Sequence, residues 1–160
     1  MFWLYFIGLF PISLLLMMWV YELRRATEQQ RHAQTVRKTI LLVDDDQKIC
    51  QLTGKQLEQH GFQVLSAGDT ETALGLAKSH PGPIDLVIAD VIMPGMSGLQ
   101  LVDCMRANRP LTPVIFISGL AESPGMSYGA KSWIGFLGKP FNFNQLKRKV
   151  EDVMERARSS

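Results

Sequence analysis

Polar residues that could carry out phosphoryl chemistry follow four separate apolar stretches of the chain. An acidic run, a lone aspartate, a hydroxyl and a lysine each stand at the end of one stretch: Asp44, Asp45 and Asp46; Asp90; Ser118; and Lys139, which precedes Pro140. A carboxylate can attack phosphorus, while a lysine and a hydroxyl can bind the oxygens of the transferred group. The residue types therefore predict a phosphoryl-accepting carboxylate, provided that the four positions meet in space.

Strands of one parallel sheet would bring these positions together. The apolar stretches span residues 39–43, 84–89, 113–117 and 134–138, and they are rich in β-branched or aromatic side chains. Such nearly continuous runs are typical of strands that are buried on both faces. In open α/β sheets, sites form outside the carboxyl ends of the strands, so the pattern predicts a single site built from all four ends.

The intervening segments predict the rest of the sheet and its covering helices. Four segments are typical of helices and one of a further strand: helices 47–60, 70–79, 97–108 and 142–158, and strand 62–67. Asp69 is placed to cap the second helix and Asp46 the first. Repeated alternation of strand and helix implies right-handed crossovers, and therefore an α/β, doubly wound, five-stranded parallel sheet.

The first forty residues have a different character. Residues 2–21 contain no charged side chain, and twenty helical residues span ~30 Å, the thickness of the hydrocarbon layer of a bilayer. Aromatic residues suited to the membrane interface stand at both ends: Trp3, Tyr5, Trp19 and Tyr21. The pattern predicts a single transmembrane helix, with residues 1–21 as the anchor. A cleaved signal peptide is disfavoured because no basic residue precedes the run and no small-residue cleavage site follows it.

A basic linker, residues 22–38, predicts how the anchor is oriented. It holds five basic and two acidic side chains: Arg24, Arg25, Arg31, Arg37 and Lys38 against Glu22 and Glu28. Basic residues beside a span remain on the cytoplasmic side. We therefore expect a single-pass protein of the inner (cell) membrane, with residues 39–160 in the cytoplasm.

Charge and cysteine content exclude several other functions. Residues 39–160 carry 12 basic and 13 acidic groups, which gives no electrostatic reason to expect a nucleic-acid partner. Cys50 and Cys104 lack disulfide or metal spacing, and both are predicted to be small buried thiols within helices. The histidines are isolated, so they are predicted to lie at the surface.

The motifs, taken jointly, are similar to those of a known family. Ile-Leu-Leu-Val-Asp-Asp-Asp at 40–46, Asp-Val-Ile-Met-Pro-Gly-Met-Ser-Gly at 90–98, Pro-Val-Ile-Phe-Ile-Ser-Gly at 113–119 and Gly-Lys-Pro-Phe at 138–141 resemble the receiver domain of two-component response regulators. The resemblance covers residues 39–158 and implies a flavodoxin-like fold. It further implies a non-enzymatic role in phosphorelay signal transduction.

The resemblance also assigns roles to individual residues. Asp44, Asp45 and Asp90 would hold Mg²⁺, and Asp90 would be the phosphoacceptor. Lys139 would pair with one phosphoryl oxygen, and Ser118 would donate a hydrogen bond to another. Ser118 and Phe136 match the family's switch pair, although a plain core phenylalanine satisfies the same sequence pattern. The implied partners are a histidine kinase or histidine phosphotransfer protein upstream and a protein of unknown identity downstream.

One region departs from the family pattern. Pro124, Gly125 and Gly129 interrupt the helix expected between Ser118 and Phe136, where glycine costs ~1 kcal/mol and an interior proline ~3 kcal/mol. Trp133 stands where a small residue is usual. The sequence therefore predicts a short or irregular helix within residues 120–131.

Three interpretations of function follow. The first is a membrane-tethered, stand-alone receiver without an output domain, which signals by protein contact. The second is a degenerate receiver that acts as a phosphorylation-independent scaffold, and the intact set of site residues argues against it. The third is a phosphatase of the haloacid dehalogenase kind, which needs a second aspartate two residues after the nucleophile. Ile92 occupies that position, so no general acid is available there.

Overall fold

The chain divides into two compact units, Met1–Val36 and Arg37–Ser160. The computed structural model describes residues 16–23, 37–119 and 131–159. In the first unit, residues 16–23 are helical. Among the described residues no helix has both the length and the hydropathy needed to cross a bilayer. Most of the predicted anchor, residues 1–15, lies outside the described residues, as do residues 24–36 of the linker.

The second unit is built on a parallel sheet of five strands. The strands are β1 (Thr39–Val43), β2 (Gln63–Ala67), β3 (Leu86–Asp90), β4 (Val114–Ser118) and β5 (Ile134–Gly138). The helices are α1 (Gln47–Gln59), α2 (Thr70–Ser79), α3 (Gly98–Arg106) and α4 (Phe143–Arg158). The strand order is β2-β1-β3-β4-β5, and every neighbouring pair is parallel. This is the flavodoxin-like order, so the predicted fold class is confirmed.

Burial explains why three strands are apolar except at one end residue each, Thr39, Asp90 and Ser118. Every residue of β1, β3 and β4 is buried, because each of these strands has a neighbour on both sides and helices above and below. Alternate residues enter opposite layers: Leu41 and Val43 pack with the residues of α2 and α3, whereas Ile40 and Leu42 pack with those of α1 and α4. The strands at the two edges, β2 and β5, are only partly buried.

Capping side chains account for two of the small errors in the predicted boundaries. Ser97 and Asn142 were expected to be the first residues of two helices, but each is the cap that precedes its helix and forms a capping box. Asp46 caps α1 by accepting from the backbone N–H groups of Lys48 and Ile49, and Asp69 caps α2. Both of these predicted caps are confirmed.

The cysteine prediction was half wrong. Cys50 is buried, and burial raises the pKa of its thiol above the ordinary value, which keeps it protonated at neutral pH. Cys104 is exposed instead of buried, because the buried stripe of α3 consists of Gly98, Leu101, Val102 and Met105. The irregular helix predicted within residues 120–131 falls almost wholly on residues 120–130, which lie outside the described residues.

Arg109 ties the loop before β4 to the end of α2. Its guanidinium donates hydrogen bonds to the carbonyls of Ala77, His80 and Gly82, at 3.0 to 3.1 Å. Carbonyls at the end of a helix have no partner within the helix, so this side chain satisfies groups that would otherwise need water.

At Gly98 a helix closely approaches the end of a strand. A Cβ built on Gly98 would lie 2.1 Å from the backbone oxygen of Asp90 and 3.0 Å from its carbonyl carbon. The Gly98 N–H also donates to the carbonyl of Val91. Both obstructing atoms belong to the backbone, so no side chain can move aside to make room.

Gly98→Ala is expected to lower the free energy of unfolding by about 3 kcal/mol, because α3 must shift away from β3. Gly75→Ala is the matched control, since Gly75 is exposed on α2 and its Cβ would meet nothing within 4 Å. It should raise stability by up to about 1 kcal/mol. Urea denaturation of both variants measures the difference, and equal stabilities would contradict the proposed steric conflict.

Candidate functional site

The predicted site residues meet at the carboxyl ends of the parallel strands. Asp44 directly follows β1, Asp90 ends β3, Ser118 ends β4 and Lys139 directly follows β5. Parallel pairing aligns these ends, with Asp90 beside Ile117 and Ser118 beside Gly138. Residues up to 95 positions apart in sequence are thus brought into one cluster.

Three carboxylates form the acidic part of this cluster. Asp44, Asp45 and Asp90 each offer an oxygen, and these atoms all lie within 4.8 Å of one another. Asp44 and Asp90 are only 2% and 7% exposed, whereas Asp45 is exposed. Like charges at this separation repel strongly when they are buried, so the arrangement requires a cation.

Lys139 supplies one such cation. Its Nζ lies 3.0 Å from Oδ2 of Asp44 and 2.5 Å from Oδ2 of Asp90. Partial burial lowers the pKa of the Lys139 ammonium, but the hydrogen bonds and negative charges of Asp90 and Asp44 raise it by more. Its net pKa is therefore above the ordinary value, and Lys139 is charged throughout the physiological pH range.

Backbone groups fix the other oxygen of each buried carboxylate. Oδ1 of Asp44 accepts from the N–H of Asp46 at 2.9 Å, and Oδ1 of Asp90 accepts from the N–H of Ile92 at 3.0 Å. Each donor lies two residues after its acceptor, the spacing of an Asx turn. Both carboxylates are therefore held in the same way, with one oxygen on the backbone and the other on Lys139.

Ser118 is a buried residue at the end of β4. The residue is 7% exposed, and its carbonyl accepts from the backbone N–H of Lys139 at 2.8 Å. Among residues 37–119 and 131–159, a Cβ built on the next residue, Gly119, would meet nothing within 4 Å. That this glycine leaves room beside the hydroxyl stays a prediction, because residues 120–130, which follow it, lie outside the described residues.

Phe136 lies in the layer beneath these strand ends. Its ring stacks on Phe116, with centroids 5.6 Å apart and an angle of 26° between the planes. Phe116 is fully buried, whereas Phe136 is partly buried against the same layer. This contact is compatible with both a switch residue and an ordinary core residue, so the switch role remains a prediction.

An apolar groove next to the cluster was missed by sequence reasoning. It has a volume of about 470 Å³, and Ile49, Leu52, Phe141 and Phe143 line it together with Lys139. Leu52 is 62% exposed. A signal was available, because Leu52 falls outside the buried stripe of α1, which consists of Cys50, Thr53, Gly54 and Leu57.

The donor set of the cluster suits a small hard cation. All three candidate ligands are carboxylate oxygens, which Mg²⁺ prefers, and Mg²⁺ keeps several waters when only a few protein ligands are available. Exposed Asp45 lies on the side that is open to solvent, where such waters would remain.

Comparisons with known proteins point to one family. Residues 40–151 match the family model described as the response regulator receiver domain. The sensor kinase CckA of Brucella abortus (strain 2308) is 34% identical over 119 residues, covering 74% of this chain and 13% of the relative. The transcriptional regulatory protein CpxR of Escherichia coli (strain K12) is 36% identical over 122 residues, covering 74% of this chain and 50% of the relative. The chain thus spans half the length or less of these two relatives.

Solved structures agree with this match. The receiver domain of the hybrid histidine kinase CckA is 35% identical, with a TM-score of 0.62, and the match covers 72% of this chain and 98% of that one. The response regulator TrrA of Thermotoga maritima, solved in complex with Mg²⁺ and BeF, is 34% identical, with the same TM-score and the same coverage.

Lys139→Ala is expected to lower the free energy of unfolding by about 2 kcal/mol in the presence of EDTA, because two buried carboxylates lose their shared cation. Lys139→Arg should retain more than half of the stability, since the positive charge remains. Lys55→Ala, at an exposed position of α1, is the control and should change stability by less than about 0.5 kcal/mol. Equal loss in the two alanine variants, measured by urea denaturation, would contradict the neutralising role of Lys139.

Proposed function

Because the chain belongs to the response regulator receiver domain family, we propose that Asp90 accepts a phosphoryl group in a two-component phosphorelay. The observation that carries this proposal is the pairing of buried Asp90 with Lys139 inside a cluster of three carboxylates. The phosphoryl donor is a histidine kinase or a histidine phosphotransfer protein. The downstream step is contact with another protein.

The transfer is a displacement at phosphorus. An oxygen of Asp90 forms a bond to phosphorus, the P–N bond of the donor phosphohistidine breaks, and the imidazole leaves with the bonding electron pair. The product is an aspartyl phosphate. The Lys139 ammonium, already beside Asp90, pairs with a phosphoryl oxygen, and the Ser118 hydroxyl donates a hydrogen bond to another.

Asp44, Asp45 and Asp90 would hold Mg²⁺ in this proposal. The ion would supply positive charge against the carboxylates and the incoming phosphoryl oxygens. The fit rests on the all-oxygen donor set and on the closeness of the three carboxylates.

The signal would pass from Ser118 to Phe136. A phosphoryl group on Asp90 adds acceptor oxygens that attract the hydroxyl, and the Phe136 ring then occupies the space that the hydroxyl leaves. The partial burial of Phe136 supports this coupling, since its ring is not enclosed on every side.

We also propose that residues 1–21 tether the receiver, residues 39–160, to the cytoplasmic face of the cell membrane. Support comes from the uncharged run of twenty residues and from the excess of basic residues in the linker. Alkaline carbonate extraction of cells that express the full chain tests the tether. The full chain should stay in the membrane pellet, and its release into the supernatant would refute the proposal.

Incubation with acetyl phosphate and Mg²⁺ is expected to add one phosphoryl group to residues 37–160, detected by intact mass spectrometry. Asp90→Asn and EDTA should each abolish the adduct. Asp46→Asn is the matched control and should keep it, because Asp46 caps α1 and an asparagine can cap equally well. A folded protein that never gains the adduct would overturn the phosphoacceptor role and favour the phosphorylation-independent scaffold.

Leu52→Arg is expected to slow transfer from a protein donor at least tenfold while leaving labelling by acetyl phosphate unchanged. The physical reason is that a folded donor must contact the surface beside Asp90, and the apolar groove along α1 is such a surface. Leu111→Arg is the control, because Leu111 is exposed and precedes β4, at the opposite end of the sheet. Equal transfer rates for the two variants, in radiolabel assays with purified donors, would rule out this contact.

A further inference from the structure

A second groove lies at the amino ends of the strands, at the opposite end of the sheet from Asp90. It has a volume of about 480 Å³ and is lined by residues that precede β1, β3 and β4 and by the end of α4; they include Lys38, Ile84, Leu111, Met154, Ala157 and Arg158. We call it the basal groove. The phosphorelay chemistry uses none of these residues.

Two positive charges in the basal groove are available for a ligand. Within residues 37–119 and 131–159, no carboxylate lies within 4.0 Å of Lys38 or Arg158. The Lys38 ammonium instead lies 3.7 Å from the sulfur of Met154. Arg109 also lines the groove, but its guanidinium is committed to three carbonyls.

The acidic group of the basal groove is committed as well. The carboxylate of Asp85 accepts from the backbone N–H of Thr39 at 2.7 Å, so it fixes the start of β1. Around these charges the surface is apolar. Leu111 is 83% exposed, and two buried apolar residues, Ile84 and Met154, also line the groove. A surface that combines free cations with exposed apolar groups suits an amphiphilic anion.

Lys38 links this surface to the tether. It is the last residue of the basic linker, and the 17 residues from 22 to 38 can extend at most ~60 Å, at 3.3–3.6 Å per residue. Because Lys38 directly precedes β1 and lines the basal groove, the chain enters the receiver at the end of the sheet that holds this groove. Of the two ends of the sheet, this is the one attached directly to the tether.

We propose that the basal groove docks onto the anionic phospholipids of the membrane that holds the tether. Lys38 and Arg158 bind lipid phosphates, and Leu111 enters the boundary between headgroups and acyl chains. This inference rests on the tethering proposed above.

The docked orientation keeps the phosphorylation site accessible. Asp90 ends β3 and Ile84 lies two residues before that strand begins, so the basal groove and Asp90 are separated by the length of the strand, ~17 Å for five residues. With the basal groove on the lipid surface, the carboxylate cluster faces the cytoplasm, where a donor can reach it.

The test uses residues 37–160, which form a compact unit that contains both core layers. Isolated receiver domains of the same fold have been solved, which indicates that such a unit folds alone. Because this segment lacks residues 1–36, any binding to vesicles is independent of the anchor. Sedimentation compares vesicles of phosphatidylcholine with vesicles that also contain phosphatidylglycerol. At low salt, the protein should bind the anionic vesicles at least fivefold more strongly, and the difference should shrink as salt is raised.

Charge-matched variants locate the contact. Lys38→Glu with Arg158→Glu should abolish the preference for anionic vesicles, whereas Lys48→Glu with Lys55→Glu, an equal charge change on exposed positions of α1, should preserve at least half of it. Leu111→Ser should weaken binding, and Leu52→Ser should not. Urea denaturation checks that every variant is folded.

Three results would overturn the inference: equal binding to both kinds of vesicle, equal loss in both charge variants, or no effect of Leu111→Ser. Failure of the tether is read separately, from carbonate extraction of the full chain. The proposal that Asp90 accepts a phosphoryl group is likewise tested separately, by intact mass spectrometry. Binding by residues 37–160 alongside an extractable full chain would support a peripheral lipid contact without the tether.

Discussion

Two buried carboxylates share one ammonium group, and the sheet must have a particular order for that contact to exist. Asp44 follows β1, Asp90 ends β3 and Lys139 follows β5, yet β4 lies between β3 and β5. The lysine must therefore reach across a strand, a distance of about 9 to 10 Å between strand axes. Only a long, flexible side chain at the end of the edge strand meets this requirement. The strands must also be parallel, because only then do all their carboxyl ends lie at the same end of the sheet.

Because the site depends on the order and direction of the strands, some of its features could be predicted from the sequence and others could not. Buried central strands are almost uniformly apolar, so β1, β3 and β4 were visible in the sequence, and the polar residues that end or follow them marked the site edge. Boundaries were less accurate where a polar residue belongs to the element, as Asp90 does to β3, or where a cap such as Ser97 precedes a helix. The ion pair of the Lys139 ammonium with Asp44 was not foreseen, because the sequence does not show how far this side chain reaches across the strand ends.

Contacts made by single side chains with distant backbone were invisible to pattern reasoning. The residues around Arg109 in sequence do not indicate that its guanidinium donates hydrogen bonds to carbonyls at and after the end of α2, which are 27 to 32 positions away. The same holds for the Arg106 guanidinium, 4.0 Å above the ring of Trp133. The large ring at a position where a small residue is usual was evident, but its partner was not. Such contacts arise from topology, which places segments together without leaving a periodic signal in the sequence.

Packing around the glycines indicates where a phosphoryl group could alter the fold. At Gly98 the backbone of Asp90 blocks any added atom, and at Gly135 a Cβ would lie 2.6 Å from Val153 on α4. Neither position has room for another atom, so the start of α3 and the beginning of β5 are closely packed against their neighbours. At Gly119 and Gly138, by contrast, an added Cβ would meet nothing within 4 Å in the part of the chain that the structure describes. A packed interior resists gradual deformation, so new charge at Asp90 is accommodated where space exists. Among the described residues, that space lies at Gly119 and Gly138, next in sequence to Ser118 and Lys139, the two residues proposed to bind the phosphoryl oxygens.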